Sequence, residues 1–144
     1  MKIKLALFSM VIALSLFLAA CSSTEPASLA VSCDKFLEAK HITQEIDVSA
    51  GDTFSVTLCS NPTTGFQWAH FAQISDRSVL EQTSHQFSLP ESGNQPPAPG
   101  TPGQEIWTFS ALKKGTSIVS MEYSQPWLDG NKGEWTFVLN VTVK

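Results

Sequence analysis

The chain has 144 residues, a net charge of −4, one arginine (Arg77) among its nine basic side chains, and three cysteines. That length builds one ordinary domain, and an acidic chain with one arginine lacks the basic footprint that binds nucleic acid. His41, His70 and His85 have no metal-ligand spacing to one another. No Ser-His-Asp, paired-carboxylate or phosphate-loop arrangement can be assembled either, so neither a cofactor nor an enzyme is expected.

Residues 1–20 read as a targeting segment. Lys2 and Lys4 give it a positive start, and Leu5 to Leu18 is an apolar run broken only by serines. The run is short of the roughly 20 residues that span a membrane and suits a secretory leader. It closes on Leu18-Ala19-Ala20-Cys21, which resembles a bacterial lipobox, where the cysteine is acylated and becomes the mature N-terminus. Ordinary leader cleavage, with Cys21 left as an incidental thiol, is the alternative. By resemblance to bacterial sorting rules, Ser22 after the cysteine points to the outer membrane where the cell has one. Removing the leader takes Lys2 and Lys4, leaving 124 residues with seven basic and thirteen acidic side chains, net −6. Residues 21–30 are small and polar and read as a tether, and residues 31–144 as the folded domain.

With Cys21 lipidated, Cys33 and Cys59 remain as an even pair in an oxidising compartment, where disulfides persist. Two free buried thiols or a reactive nucleophile are the other readings. No CxxC spacing and no flanking base supports the nucleophile.

After residue 42 the sequence alternates with period two. Phe54, Val56 and Leu58 alternate with polar neighbours, as do Val119, Met121 and Tyr123, and Trp135, Phe137, Leu139, Val141 and Val143. Such stripes are half-buried strands of antiparallel sheets. Phe66-Gln67-Trp68 and Glu105 to Leu112 read as further strands. Turn signals at Ala50-Gly51-Asp52, Lys113-Lys114-Gly115 and Asp129-Gly130-Asn131 punctuate them. No stretch shows a helical period. The expected fold is therefore all-β, an immunoglobulin-like antiparallel sandwich of about seven strands. Trp68, Trp107 and Trp135 are expected in its core.

Pro90 to Gly103 interrupts the pattern with five of the eight prolines and three of the eight glycines. Proline cannot donate to a sheet ladder, so this is a loop, of a length usually functional or disordered. Asn61-Pro62-Thr63-Thr64-Gly65-Phe66 lies between two strands. Pro62 fixes its own φ, Gly65 tolerates positive φ, and Asn61 can bond the backbone two residues on. That describes a stiff loop presenting two threonines, and equally a plain tight turn.

Three segments together go further. Asn61-Pro62-Thr63-Thr64-Gly65-Phe66, Gly100-Thr101-Pro102-Gly103 and Pro126-Trp127 resemble, in order, the three loop motifs of the chagasin-like inhibitors of cysteine peptidases. Trp107 to Gly115 is also similar to that family, and the likeness runs from about Gly51 to Lys144. The resemblance implies an immunoglobulin-like sandwich whose three loops gather at one end and enter a papain-like active-site cleft as a reversible, non-covalent wedge. Thr63 and Thr64 would meet the catalytic Cys–His region. The Gly-x-x-Gly loop would lie along the non-primed side, and Trp127 would pack on the primed side. The expected partner is a papain-like cysteine peptidase, the inhibitor is expected to act as a monomer, and its second attachment is the membrane through its lipid.

The residues suit such a role. Prolines 62, 102 and 126 reduce the ordering entropy lost on docking, and Trp127 is the kind of aromatic anchor in which interface energy concentrates. Gly100 and Gly103 would permit close backbone approach. The bland reading of Trp127 is a fourth core tryptophan, against which stands its place after Pro126 beyond a strand. Two residues depart from the family pattern. Gln125 stands where arginine is usual, losing charge and the planar fork; restoring arginine is expected to leave inhibition equal or improved. Phe66 stands where tyrosine is common. A structural or adhesive envelope lipoprotein built on the same fold is the alternative function.

Overall fold

The computed structural model describes residues 25–90 and 95–144. The leader, Cys21 and residues 91–94 lie outside the described residues. The chain runs through β1 (Ala27–Val31), α1 (Cys33–Glu38), β2 (His41–Val48) and β3 (Thr53–Ser60), then a 3₁₀ turn (Pro62–Thr64). It continues through β4 (Gln67–Trp68), β5 (Gln73–Ile74), β6 (Leu80–Ser88), β7 (Gly103–Ala111), β8 (Gly115–Ser124) and β9 (Trp135–Val143). One sheet has the order β1-β3-β7-β6, the other β2-β9-β8-β4 with β5 also on β8.

The two sheets close over the stripes the alternation marks. Phe54, Val56 and Leu58 of β3 and Trp107, Phe109 and Ala111 of β7 come from one side. Val119, Met121 and Tyr123 of β8 and Phe137, Leu139, Val141 and Val143 of β9 come from the other. Trp68 and Trp107 are buried as expected, and their rings meet edge to face. Trp135 is only half-buried, lying flat between Phe36 and Tyr123.

The all-β sandwich stands, with four differences in detail. The described residues form nine strands rather than about seven, two of them only two residues long. Two pairings are parallel, β1 with β3 and β2 with β9. The cause is α1, a helix the periodicity does not reveal. It turns the chain at the end where β3 and β8 finish and delivers its two flanking strands to opposite sheets. Neither strand can then pair with its sequence neighbour, and each lies along an edge running its own way. Six residues are too few for a period, but the local signals are present. Ser32 accepts from the backbone N–H of Lys35 at 3.4 Å, Asp34 sits in the first turn, and Phe36 is fully buried against Trp68 and Trp135. Finally, Ala27 to Ala30, read as tether, belong to β1, because their backbone ladders onto Phe54 to Thr57.

Cys33 and Cys59 are joined as a disulfide with Cα atoms 5.0 Å apart, tying the start of α1 to the penultimate residue of β3. That pins the helix beside the first loop.

Candidate functional site

β3, β6 and β8 all finish at one end of the sandwich. Ser60 pairs with Gly103 and Ser88 with Gln104, while Tyr123 pairs with Trp135. The segments 61–66, 95–102 and 125–134 therefore emerge side by side, and they carry the three motifs.

The first loop is organised by Asn61. Its side-chain oxygen accepts from the Thr63 backbone N–H at 3.3 Å and from the Thr63 hydroxyl at 2.7 Å. Its carbonyl accepts from the Thr64 N–H at 3.1 Å and the Thr64 hydroxyl at 2.7 Å. Its own N–H donates to the Tyr123 hydroxyl at 2.9 Å. Pro62 starts the 3₁₀ turn, where its missing N–H costs nothing. Gly65 ends the turn at φ +81°, a left-handed conformation that suits glycine. Both threonine hydroxyl protons are thus spent inside the loop. Thr63 and Thr64 are exposed; the Thr64 hydroxyl oxygen also accepts from the Phe66 N–H at 3.4 Å, and each hydroxyl oxygen keeps acceptor capacity. Phe66 is half-buried on the Tyr123 ring.

Asn61 Nδ2 donates to the carbonyl of Gly100 at 3.1 Å, joining the second loop to the first. Gly100 has φ +85°, and Thr101 closes the adjoining turn by donating its N–H (3.0 Å) and hydroxyl (2.6 Å) to Ala98. Pro102 is exposed. Gly103 departs from the sequence reading: it is the buried first residue of β7, not part of the loop. A Cβ there would lie 2.5 Å from the Phe87 ring and 2.6 Å from the Ser88 carbonyl. The close approach that Gly103 permits is therefore made by Phe87 of its own chain.

The third loop folds on itself. The Gln125 N–H donates to the Asn131 carbonyl at 2.8 Å, and Gln125 Oε1 accepts from the Asn131 N–H at 2.9 Å. Pro126 is exposed, and Trp127 is 50% exposed, as its position after Pro126 indicates. The other half of the indole covers two glycines. A Cβ on Gly65 would be 2.9 Å from the Trp127 ring, and one on Gly130 2.9 Å from its Nε1. Trp127 thus ties the third loop to the first, as Asn61 ties the first to the second. Leu128 beside it is 94% exposed.

Sequence reasoning missed a hydrogen-bonded chain directly under these loops. Ser60 Oγ donates to Glu105 Oε1 at 2.6 Å, Glu105 Oε2 lies 2.7 Å from His85 Nε2, and His85 Nδ1 lies 2.8 Å from His70 Nδ1. Ser60 and Glu105 are buried, and His85 stacks on Trp107. The histidines stand 15 positions apart, so only the fold brings them together. Among the described residues no group of three or more His, Cys, Asp or Glu side chains is placed to hold a metal ion.

Residues 47–141 match the model of the "Chagasin family peptidase inhibitor I42". The chain belongs to the chagasin family. Membership places it among peptidase inhibitors rather than enzymes. It is similar to Amoebiasin-2 of Entamoeba histolytica, with 26% identity over 121 residues that span 80% of this chain and 94% of the relative. Its fold is similar to that of the cysteine protease inhibitor EhICP2 from Entamoeba histolytica, with a TM-score of 0.58 at 20% identity over 84% of this chain and 99% of the other. It is also similar to PbICP-C, solved in complex with falcipain-2, with a TM-score of 0.54 at 16% identity over 82% and 99% of the two chains.

Proposed function

We propose that this chain inhibits papain-like cysteine peptidases reversibly and without covalent chemistry, by seating the three loops in the active-site cleft. The observation that carries the reading is the direct locking of three family-motif loops into one edge, by Asn61 on Gly100 and Trp127 on Gly65. A preformed edge has little ordering entropy left to lose on docking. The tip of the first loop is a closed 3₁₀ turn, whereas a peptidase cuts backbone drawn out in extended form. The turn can therefore fill the cleft without presenting a cleavable bond. Thr63 and Thr64, with their protons turned inward, offer lone pairs that suit the imidazolium of the catalytic pair. Trp127 and Leu128 supply the apolar anchor beside them.

We further propose that the inhibitor is held in a bacterial envelope by acylation of Cys21 and acts as a monomer. The basic start, the apolar run and Leu18-Ala19-Ala20-Cys21 support the anchor. Cys21→Ser should abolish lipid labelling; a mutant that matures and fractionates unchanged would sink that part. The inhibitory reading is tested by titrating active papain with the lipid-free domain. Activity should fall to zero at one equivalent and return on dilution and competition. Papain and cathepsin-type enzymes left untouched would favour the structural or adhesive role.

A further inference from the structure

Pro126 leaves the third loop short of donors. It has no N–H of its own, while the carbonyls of Gln125 and Trp127 on either side both point at one group, the Lys132 ammonium. Lys132 Nζ donates to both, at 2.9 Å to Trp127. The Trp127 carbonyl also takes the Gly130 N–H at 3.1 Å. Lys132 lies outside the Pro126-Trp127 motif, and its side chain is exposed. An exposed lysine ordinarily spreads over many rotamers and contributes little. Here one cation spans both ends of the tripeptide Gln125–Trp127.

We propose that Lys132 is a positioning residue for Trp127, fixing the indole over Gly65 and Gly130 in the pose that docks. The effect on inhibition rests on the reading above, but the clamp itself does not. A loop that is already closed forms no new order on binding, so losing the clamp should show mainly as faster dissociation.

The test uses the whole lipid-free domain with Lys132→Met and Lys132→Arg. Methionine keeps the stem and removes the donors; arginine keeps charge and donors. Trp68 and Trp107 are buried and Trp135 half-buried, so acrylamide quenching of the free protein reports chiefly on Trp127, with Trp127→Phe as the control. Lys132→Met should quench more readily and inhibit papain about tenfold less tightly through a faster off-rate. Its melting temperature should not move, and Lys132→Arg should behave as wild type. Unchanged quenching in Lys132→Met overturns the clamp. Raised quenching with unchanged inhibition overturns its role in docking. A wild type that inhibits no papain-like enzyme overturns the inhibitor reading instead, and quenching alone then decides the clamp.

Discussion

Half of the Trp127 indole rests on Gly65 and Gly130, and the other half faces solvent beside the exposed Leu128. Nothing in the core depends on that ring. Trp127→Ala should therefore leave the melting temperature nearly unchanged while costing about 2 kcal/mol of binding, roughly thirtyfold in the inhibition constant. Full inhibition by the variant would mean the ring is not an anchor. Gln125 is a different case, and here its hydrogen bond argues for the opposite outcome to the one the family pattern suggests. Its side-chain oxygen accepts from Asn131, and arginine has no acceptor to put there. Gln125→Arg should thus loosen the loop and weaken inhibition severalfold, for a loss of about 1 kcal/mol; equal or tighter inhibition would show that Oε1 is dispensable. The turn of the first motif was legible in the sequence because Pro62, Gly65 and the Asn61 side-chain oxygen shape it within their own few residues, whereas the long-range bonds of Asn61 to Tyr123 and Gly100 were not. Gln125 was not, because its partner lies six positions on, across a closed turn.

At the scale of elements, what was legible follows the burial. β3, β8 and β9 bury every second residue deeply, and alternation finds them. β6 is an edge strand with few buried residues and a register shift between Gln82 and Ser84, so its period breaks and composition hides it. Which strand neighbours which is also hidden, since alternation marks a face and not a partner. That is why the two parallel pairings were missed. The short helix α1 owes its place to Phe36, which is fully buried on Trp68 and Trp135. Phe36→Ala should cost about 3–5 kcal/mol, read as a lower urea midpoint. The Cys33–Cys59 disulfide, closing 26 residue steps, adds about 3–4 kcal/mol on the chain-entropy account. A loss under about 1 kcal/mol for Phe36→Ala would mean that the disulfide, and not packing, holds the helix.

The whole molecule has a direction. β1 begins at Ala27 opposite Phe54 and ends at Val31 opposite Leu58, so the chain enters at the end remote from the three loops. β3 spans eight residues, which at about 3.3 Å per residue sets the two ends roughly 25 Å apart. If Cys21 carries the lipid, the loops face away from the membrane and toward an arriving peptidase. Gly51, in the turn before β3, and Gly115, at the start of β8, both lie at the entry end and then take no part in binding. An interface made by one end alone would be of ordinary size, about 800 Å² per partner. Hydrogen–deuterium exchange of the free domain and of its complex with papain tests the central claim most directly. The account predicts new protection confined to the amides of 61, 63–66, 100–101 and 127–132, with 51–53 and 113–116 exchanging as before. Protection centred on the entry end, or on the open face of either sheet, would contradict it.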